Sequence, residues 1–336
     1  MDNRQSSIVN RQVRRVAETC LSYPYKVWGY GEGIALEALL AAGDRLGEPR
    51  YLDFVAGLMD RWLAARADVP YPDHVAPGVA LLLVYERTGD RRLLDRARAL
   101  GDFYVGLPQT RHGARLHRPD HPDFHSYVYV DCMDFDAPFL CALARATGEG
   151  AWFDLATDCL LGHARVLWDA GHGLFYHLYD AERDQTNGAF WGRGAGWAAL
   201  GMVETLAQLP PDHPATPAIA ALFTRLMASL VRLQTADGEW PTVLDDPASY
   251  HEGSLPAMFA LALRRGLALG LLGEDARAAA DRAAGAMLQR LGDDGVLRGV
   301  SQATPPGSAA HYAAIPTGGA YPWGQGPALK ALLLHL

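Results

Sequence analysis

Two kinds of predicted helical segment alternate along the chain, and this alternation constrains the fold more than any other feature. Six segments are amphipathic: Leu93 and Ala97, for example, share an apolar face that lies opposite Arg92. Six others are rich in alanine, leucine and glycine with few charges, which is typical of helices buried on all sides. Strict alternation predicts an outer ring of helices around an inner ring. The predicted fold is therefore all-α, an (α/α)6 barrel.

The boundaries of these segments can be read from the sequence. The outer segments are Gln12–Leu21, Arg50–Ala65, Arg91–Tyr104, Ala151–Leu167, Ala215–Leu233 and Asp275–Leu291. The inner segments are Gly33–Ala42, Val75–Tyr85, Cys132–Ala146, Ala195–Leu209, Ser254–Leu269 and Gly324–Leu334. A glycine and an acid separate an inner from an outer segment at Gly47-Glu48, Gly89-Asp90, Gly148-Glu149 and Gly273-Glu274. We expect the glycine to end one helix and the acid to begin the next. No linker composition divides the chain, so residues 1–336 are predicted to form a single catalytic domain.

The longer connections are expected to gather at one end of the barrel. Because the short turns lead from inner to outer segments, the longer connections lie where the inner helices begin. Aromatic and acidic residues mark these six starts: Trp28–Gly33, Tyr71–His74, Tyr129–Cys132, Phe190–Trp197, Tyr250–Ser254 and Tyr321–Gly324. Together they predict a ligand-binding mouth at the positive ends of the helices. The longest connection, His112–Val128, is expected to cover it as a lid or wall.

Charge and composition exclude several kinds of partner. The 336 residues carry a formal net charge of −8, which disfavours electrostatic capture of nucleic acid or of an anionic membrane. No stretch has the ~18 uninterrupted apolar residues of a membrane span, and Met1–Ser6 lacks the apolar core of a secretory signal. The four cysteines, Cys20, Cys132, Cys141 and Cys159, have no CxxC spacing, which favours reduced, buried thiols. We therefore expect a cytoplasmic protein.

Several acidic residues are expected at the mouth. They are Asp73, Asp131, Asp134, Asp136 and Glu252. Paired carboxylates suit sugar chemistry, because one can stay protonated in apolar surroundings while the other is ionised. Asp131 lies between Tyr127–Val130 and Cys132-Met133, which predicts a partly desolvated carboxyl group that could act as a general acid. A helix N-cap is the alternative interpretation of Asp131, and it is a stronger alternative for Asp73.

Histidines suggest a metal site only weakly. His112, His117, His121 and His125 are spaced across Pro119 and Pro122, so they cannot share a regular helix, and they match no zinc pattern. A polar loop that faces the substrate is the favoured interpretation. His177 is a candidate ligand contact, with a structural histidine as the equal alternative. No nucleotide-binding motif appears, so no cofactor is predicted. Because the histidines match no zinc pattern, no metal is predicted either.

The segment Phe190–Trp197 combines two indoles, one guanidinium and three glycines. Trp offers a flat apolar face and Arg a planar fork for a carboxylate, a combination that suits an acidic sugar. The alternative is structural: a buried pair of tryptophans, with Arg193 bound to a nearby carboxylate of the protein. From this segment alone the two interpretations are equal.

Taken in order, the motifs resemble the unsaturated glucuronyl and rhamnogalacturonyl hydrolases, glycoside hydrolase families 88 and 105. The resemblance rests on Tyr129–Asp131, Gly173–His177, Phe190–Trp197, Gly238–Trp240, Tyr250–Ser254 and Gly295–Val300. It implies the same (α/α)6 barrel and an unusual hydrolysis. These enzymes release a 4,5-unsaturated uronic acid from the non-reducing end of lyase-derived oligosaccharides by hydrating its C4–C5 double bond. A substrate of the rhamnogalacturonan or pectin type is favoured.

The resemblance also implies residue roles. Asp131 would protonate C4 and then act as the base for the water that adds at C5, while Asp73 would help to set its protonation and position. Substrate contacts are expected from Trp28, Tyr30, Tyr129, His177, Trp191, Arg193 and Trp197.

Three departures from the family pattern leave the sugar specificity open. Tyr129 stands where the family has Trp, Asp134 is an additional acid, and Ala195 stands where Asn is common. A sugar epimerase that uses His74 and His251, and a non-catalytic carbohydrate-binding protein, are the alternative functions. The sequence leaves monomer and homodimer equally open.

Overall fold

The computed structural model describes residues 3–27, 29–64, 73 and 75–334, in which the side chains of residues 3–7 and of residue 30 are not described. Helices dominate this part of the chain. In chain order the elements are α1 (Asn3–Leu21), α2 (Tyr30–Leu46), α3 (Arg50–Ala64), α4 (Gly78–Thr88), α5 (Arg91–Gly106), β1 (Tyr127–Tyr129), α6 (Cys132–Thr147), α7 (Ala151–Leu167), β2 (Trp168–Asp169), β3 (Leu174–Phe175), β4 (Leu178–Asp180), β5 (Gln185–Thr186), α8 (Gly192–Leu206), α9 (Thr216–Leu233), α10 (Ser254–Ala268), α11 (Glu274–Arg290), α12 (Ala309–Ala313) and α13 (Pro322–Leu333).

The inner ring closes on itself. Helices α2, α4, α6, α8, α10 and α13 each pack against the next, and α13 returns to pack against α2. Helices α1, α3, α5, α7, α9 and α11 lie outside them, each against its inner neighbour. The predicted (α/α)6 barrel is therefore confirmed, with segment boundaries close to those read from the sequence. A strand-like or turn segment is expected at Gly173–His177, and β3 lies there; the sequence does not predict the other strands, the short helix α12 or the start of α1 at Asn3.

The burial of each helix follows its composition. In α5, Leu93, Ala97 and Leu100 are buried while Arg92 and Asp95 are exposed, so one apolar face anchors the helix. Burying one such leucine contributes about 1.5–3 kcal/mol.

The inner helices approach one another closely where glycine removes the side chain. A Cβ atom on Gly201 of α8 would overlap the backbone carbonyl of Met133 in α6.

Three of the four predicted glycine caps are confirmed. Gly47, Gly89 and Gly148 adopt left-handed backbone angles, with φ of 67°, 71° and 75°, and each N–H bonds a carbonyl of the helix it ends. The prediction is wrong at Gly273, whose extended backbone, φ −101°, precedes α11. Helix α10 already ends at Ala268, and the left-handed residue after it is Gly270, φ 71°.

A small antiparallel sheet supports the mouth of the barrel. Strand β1 pairs with β4, Tyr129 opposite Leu178, and β4 pairs with β5. Before it joins this sheet, the connection from α5 to β1 contacts Asp73, ahead of α4, and Cys132, at the start of α6. The predicted lid segment therefore has a fixed edge, because its last residues form β1.

Helix α9 qualifies the prediction about membranes. It is the one helix among the described residues that is long and apolar enough to cross a membrane, by length and composition alone. Arg225 and Arg232 interrupt it, and it packs against α8 and α11 as an outer helix of the barrel. These contacts account for its apolar face, so α9 is weak evidence for a membrane span. All four cysteines are buried and unpaired, as predicted.

Candidate active site

A cavity of about 660 Å³ opens where the inner helices begin. Five of the six predicted mouth segments contribute to its wall: it is lined by Glu32, Asp73, Asp131, Arg193 and Trp323, each from a different segment. The lid segment contributes His117, Arg118 and Phe124. This volume lies within the ~300–1,000 Å³ range of small-ligand sites. The predicted mouth is therefore present, with the lid as part of its wall.

Asp131 has an unusual environment for a buried carboxyl group. It stands between β1 and α6 and is 3% exposed. It precedes α6 with helical backbone angles and makes no capping hydrogen bond, so the N-cap interpretation fails. Within the described residues neither carboxyl oxygen has a hydrogen-bond partner, and Nε2 of His177 lies 3.4 Å from Oδ2. Both oxygens are therefore buried with their hydrogen-bonding capacity unused by the described residues.

Strand pairing brings His177 to Asp131. The N–H of Val130 donates to the carbonyl of His177 at 2.9 Å, and the N–H of His177 donates to the carbonyl of Ala189 at 3.0 Å. The imidazole is 2% exposed, packs on Trp191 with ring centroids 4.4 Å apart, and its Nδ1 lies 2.5 Å from the phenol oxygen of Tyr312. Tyr312 lies on α12, which sequence reasoning missed.

Asp73 contacts two side chains of the lid, His117 and Arg118. Its Oδ1 lies 3.2 Å from Nε2 of His117 and accepts a short hydrogen bond from Arg118. Helix α4 begins five residues later, at Gly78, with Pro77 as its N-cap, so Asp73 does not cap it. The guanidinium of Arg118 thus places a positive charge directly against Asp73. Asp131 and Asp73 thus share one cavity in different environments, as the pairing of acid and base requires.

Sequence reasoning missed Glu32 and Lys26 as site residues. Glu32 accepts hydrogen bonds from the N–H groups of Lys26 and Val27, at 3.0 and 2.6 Å. Burial raises the pKa of Glu32, although these N–H groups oppose the shift. The Lys26 side chain is exposed at the cavity edge. The signal was present in the sequence, since Glu32 lies within a predicted mouth segment.

Arg193 is held by the protein at both of its terminal nitrogens. Nη1 donates to Oε1 of Glu252 at 2.9 Å and to Ser301 at 2.7 Å. Nη2 donates to the carbonyl of Gln302 and to Thr304, both at 2.9 Å. This arrangement matches the structural alternative for Phe190–Trp197, in which Arg193 binds a carboxylate of the protein. A contact between these nitrogens and a ligand carboxylate, which stays a prediction, requires one of the four protons to change partner.

The predicted aromatic contacts fall into three groups. Tyr129 lines the cavity, and burial raises its pKa. Trp191 and Trp197 are 1% and 0% exposed, and neither is among the described residues that line the cavity. Trp191 shapes the site indirectly, by supporting His177 and Arg193. Trp197 is part of the core, so the expected direct contact with a sugar is not supported by this geometry.

Two predicted contacts cannot be located. Trp28 and the side chain of Tyr30 lie outside the described residues. The backbone of residue 30 begins α2, next to the cavity-lining residues Gly29 and Gly31. His74, named for the epimerase alternative, also lies outside the described part of the chain.

The lid histidines have separate partners. His117 contacts Asp73, and its Nδ1 lies 3.4 Å from the sulfur of Cys132. His125 contacts Glu182 at 3.0 Å, and His121 stacks on Phe124. Within residues 3–27, 29–64, 73 and 75–334, no three His, Cys, Asp or Glu side chains are grouped to hold a metal ion.

The remaining predicted acids lie away from the cavity. Glu252 accepts four hydrogen bonds behind Arg193, and Asp136 is buried within α6. Asp134 lines a second cavity, of about 360 Å³, toward the other ends of the inner helices, together with Glu37 and Lys330. Sequence reasoning placed all five acids at one mouth because it could not tell which face of each helix turns toward it.

Comparisons with known proteins agree with this geometry. The family model described as Glycosyl Hydrolase Family 88 matches residues 3–334. The chain is 26% identical over 336 residues to the unsaturated rhamnogalacturonyl hydrolase YesR of Bacillus subtilis (strain 168), covering 98% of this chain and 94% of that protein. It is 36% identical over 179 residues to protein Atu3128 of Agrobacterium fabrum, covering 48% of this chain and 76% of that one.

Solved structures share the fold. A possible member of the GH105 family from Salmonella enterica superposes with a TM-score of 0.90 at 20% identity, covering 98% of this chain and 94% of that one. The unsaturated glucuronyl hydrolase of Bacillus sp. GL1 superposes with a TM-score of 0.73 at 17% identity, covering 98% and 96%. The resemblance inferred from the sequence motifs is confirmed. The chain is a glycosidase, and it belongs to glycosyl hydrolase family 88.

Proposed function

We propose that this enzyme removes a 4,5-unsaturated uronic acid from the non-reducing end of lyase-derived oligosaccharides by hydrating the C4–C5 double bond. The observation that carries the proposal is Asp131, whose two buried carboxyl oxygens have no hydrogen-bond partner in the part of the chain that the structure describes. Such a group can give a proton to carbon and take one back from water. Family membership favours this over a non-catalytic carbohydrate-binding protein. Against an epimerase, His251 pairs with Glu239 at 3.2 Å and does not line the cavity.

The chemistry balances without a cofactor. Asp131 gives its proton to C4, and the positive charge that develops at C5 is shared with the ring oxygen. Water adds at C5 while Asp131 takes up one of its protons, which forms a hemiketal. Opening of the ring yields a 5-keto group and a hemiacetal at C1, and this releases the neighbouring sugar. We propose that Asp73, which accepts a hydrogen bond from Arg118 in the same cavity, helps to stabilise the positive charge.

We propose that Lys26 and Arg118 receive the uronate carboxylate. Both line the cavity, Lys26 is exposed, and Nε of Arg118 has no partner within the described residues. Removing a charge-assisted hydrogen bond costs about 1.5–3 kcal/mol, so we expect Lys26→Gln to raise KM about tenfold or more. The methyl ester of the same substrate lacks the charge, and its KM should not respond. An equal change for acid and ester would contradict the assignment. The control is Arg111→Gln, an exposed cation next to the lid that pairs with Asp184 and does not line the cavity.

The substrate preference is tested with a panel of unsaturated disaccharides. The double bond is conjugated with the C6 carboxylate, so hydration abolishes its ultraviolet absorbance. We expect the fastest loss with a rhamnogalacturonan disaccharide, in line with the name of the Bacillus subtilis relative, and slower loss with glycosaminoglycan disaccharides. Absorbance that persists across the whole panel would refute the proposed function.

The hydration step is tested with a C-glycoside of the unsaturated uronate. Its C1 bond cannot be hydrolysed, so only addition of water across C4–C5 removes the absorbance. We expect this analogue to lose its absorbance. Turnover of the ordinary glycoside with no change in the C-glycoside would instead indicate attack at C1.

Asp131→Asn should lower kcat/KM by at least about 100-fold, since general acid–base catalysis contributes about 10²–10⁴. The control is Asp134→Asn, one turn further along the same helix and outside this cavity, which should keep most of the wild-type rate. Near-normal turnover in Asp131→Asn would remove Asp131 from the mechanism.

We propose that the enzyme forms one domain and acts in the cytoplasm. The four buried, unpaired thiols are typical of a reducing compartment. Fractionation of the producing cells, followed by immunodetection, tests the location. Recovery of the protein outside the cytoplasmic fraction would contradict it. Light scattering would distinguish the monomer from the homodimer.

A further inference from the structure

A chain of hydrogen bonds leads from the barrel wall to the carboxyl group of Asp131. It begins at Asn187, whose amide orientation is set by the backbone: Oδ1 accepts from the N–H of Leu178 at 3.3 Å, and Nδ2 donates to the carbonyl of Gly307 at 2.9 Å. The second proton on Nδ2 points to the phenol oxygen of Tyr312, also at 2.9 Å. The direction of this first link is therefore unambiguous.

Tyr312 is the second link, and its donor direction follows from the first. Its oxygen accepts from Asn187 and from the N–H of Gly307, the latter at 3.1 Å, so its lone pairs are occupied. Burial raises the pKa of Tyr312, so the phenol keeps its proton. The remaining neighbour, Nδ1 of His177 at 2.5 Å, must then be the acceptor of that proton.

The tautomer of His177 follows. Because Nδ1 accepts, the single proton of the neutral imidazole lies on Nε2, which faces Oδ2 of Asp131 at 3.4 Å. A protonated Asp131 cannot also carry its proton on Oδ2, since two protons would then face each other. The proton is left on Oδ1.

We propose that Tyr312 is a positioning residue that fixes His177 as the Nε2–H tautomer, and that the transferable proton of Asp131 lies on Oδ1. This rests on the proposed function of Asp131 as the acid. When the Oδ1–H bond breaks and the C4–H bond forms, the Nε2–H of His177 donates to the new carboxylate. The added water then returns one proton to Asp131, so the site is restored without a co-reactant.

The first test observes the tautomer in the free enzyme. The ¹⁵N NMR signals of His177 are identified by their absence in His177→Gln. In the wild type we expect a protonated Nε2 and an unprotonated Nδ1 that accepts a hydrogen bond. In Tyr312→Phe we expect loss of the hydrogen-bond signature at Nδ1 and a mixture of tautomers. A protonated Nδ1 in the wild type, or an unchanged spectrum in Tyr312→Phe, would overturn the proposal.

The second test measures turnover. Tyr312→Phe should lower kcat at least tenfold and leave KM nearly unchanged, because the phenol acts through His177 and not on the substrate. The control is Tyr179→Phe, which removes the hydrogen bond of another buried tyrosine, to the partly exposed Asp184 outside the cavity, and it should keep the wild-type kcat. Wild-type kcat in Tyr312→Phe would overturn the proposal. Since the NMR test needs no substrate, failure of the proposed function would not obscure it.

Discussion

The buried ion pair between Arg193 and Glu252 offers a quantitative test of how the cavity wall is held. The two side chains are 2% and 0% exposed. Glu252 accepts from Arg193 at 2.9 Å, from the N–H of Ser301 at 2.8 Å, and from both the N–H and the hydroxyl of Ser254, at 2.8 and 2.5 Å. A glutamine has one acceptor atom in place of two. In Glu252→Gln an amide NH₂ therefore faces a donor, and the guanidinium loses its counter-charge.

We expect Glu252→Gln to lower the free energy of unfolding substantially. Breaking a buried pair by changing one partner costs about 3–5 kcal/mol. With an unfolding entropy of about 2.1 cal/mol/K per residue, a chain of 336 residues has about 0.7 kcal/mol/K in total. The melting temperature of Glu252→Gln should therefore fall by about 4–7 °C.

Calorimetry at pH 7 measures this shift, and an exposed pair supplies the control. Glu274 pairs with Arg277 at side-chain exposures of 81% and 52%. Exposed pairs contribute about 0–1 kcal/mol, so Glu274→Gln should shift the melting temperature by no more than about 1.5 °C. If Glu252→Gln melts as close to the wild type as this control does, the pair does not hold the wall.

Two further predictions concern the inner ring. Burial, and then the charge of Glu37, raise the pKa of Asp134 well above its usual range; the native state therefore binds its proton more tightly than the unfolded chain, and the stability from this proton is lost as pH rises. Asp134→Asn should match the wild type at acidic pH and become the more stable protein as pH rises through the raised pKa, and melting curves across pH that keep a constant difference would refute this. Gly201→Ala should destabilise by at least about 1–3 kcal/mol in urea titrations, because its Cβ overlaps the Met133 carbonyl, whereas Gly285→Ala, with open space around its Cβ, should stabilise by up to about 1 kcal/mol. Equal effects of the two alanines would mean that α6 and α8 can separate without cost.

The sequence allows the barrel to be predicted because helix burial is a local property. The apolar composition of each inner segment predicts its burial, and the apolar neighbours of Asp131 predict the burial of its carboxyl group. Neither prediction requires knowledge of contacts distant in sequence. The partners of the site residues are different. Tyr312 lies 135 residues from His177, and Glu252 lies 59 residues from Arg193. Such pairs depend on how the ring closes, and periodicity in one segment cannot reveal which side chains then meet.

Depth along the barrel axis explains why other predicted site residues do not reach the cavity. Asp134 follows Asp131 by one turn of α6, yet it lines the cavity at the other end of the barrel. Trp197 and Arg193 stand one turn apart on α8, and only Arg193 reaches the mouth. A sequence pattern places residues on a helix, while depth along the barrel axis decides which of them a ligand can touch.

Closure of the ring by its final helix has a consequence for biosynthesis. Helix α13 packs so closely on α2 that a Cβ on Gly326 would meet the backbone of Ala35, and Trp323 lies against Gly31. A nascent chain that has not yet released α13 from the ribosome would expose the apolar flank of α2 and lack one wall of the cavity. Folding of the inner ring, and with it any turnover, must therefore wait until α13 (Pro322–Leu333) has left the ribosome. A nascent chain stalled before residue 322 would be a client for chaperones.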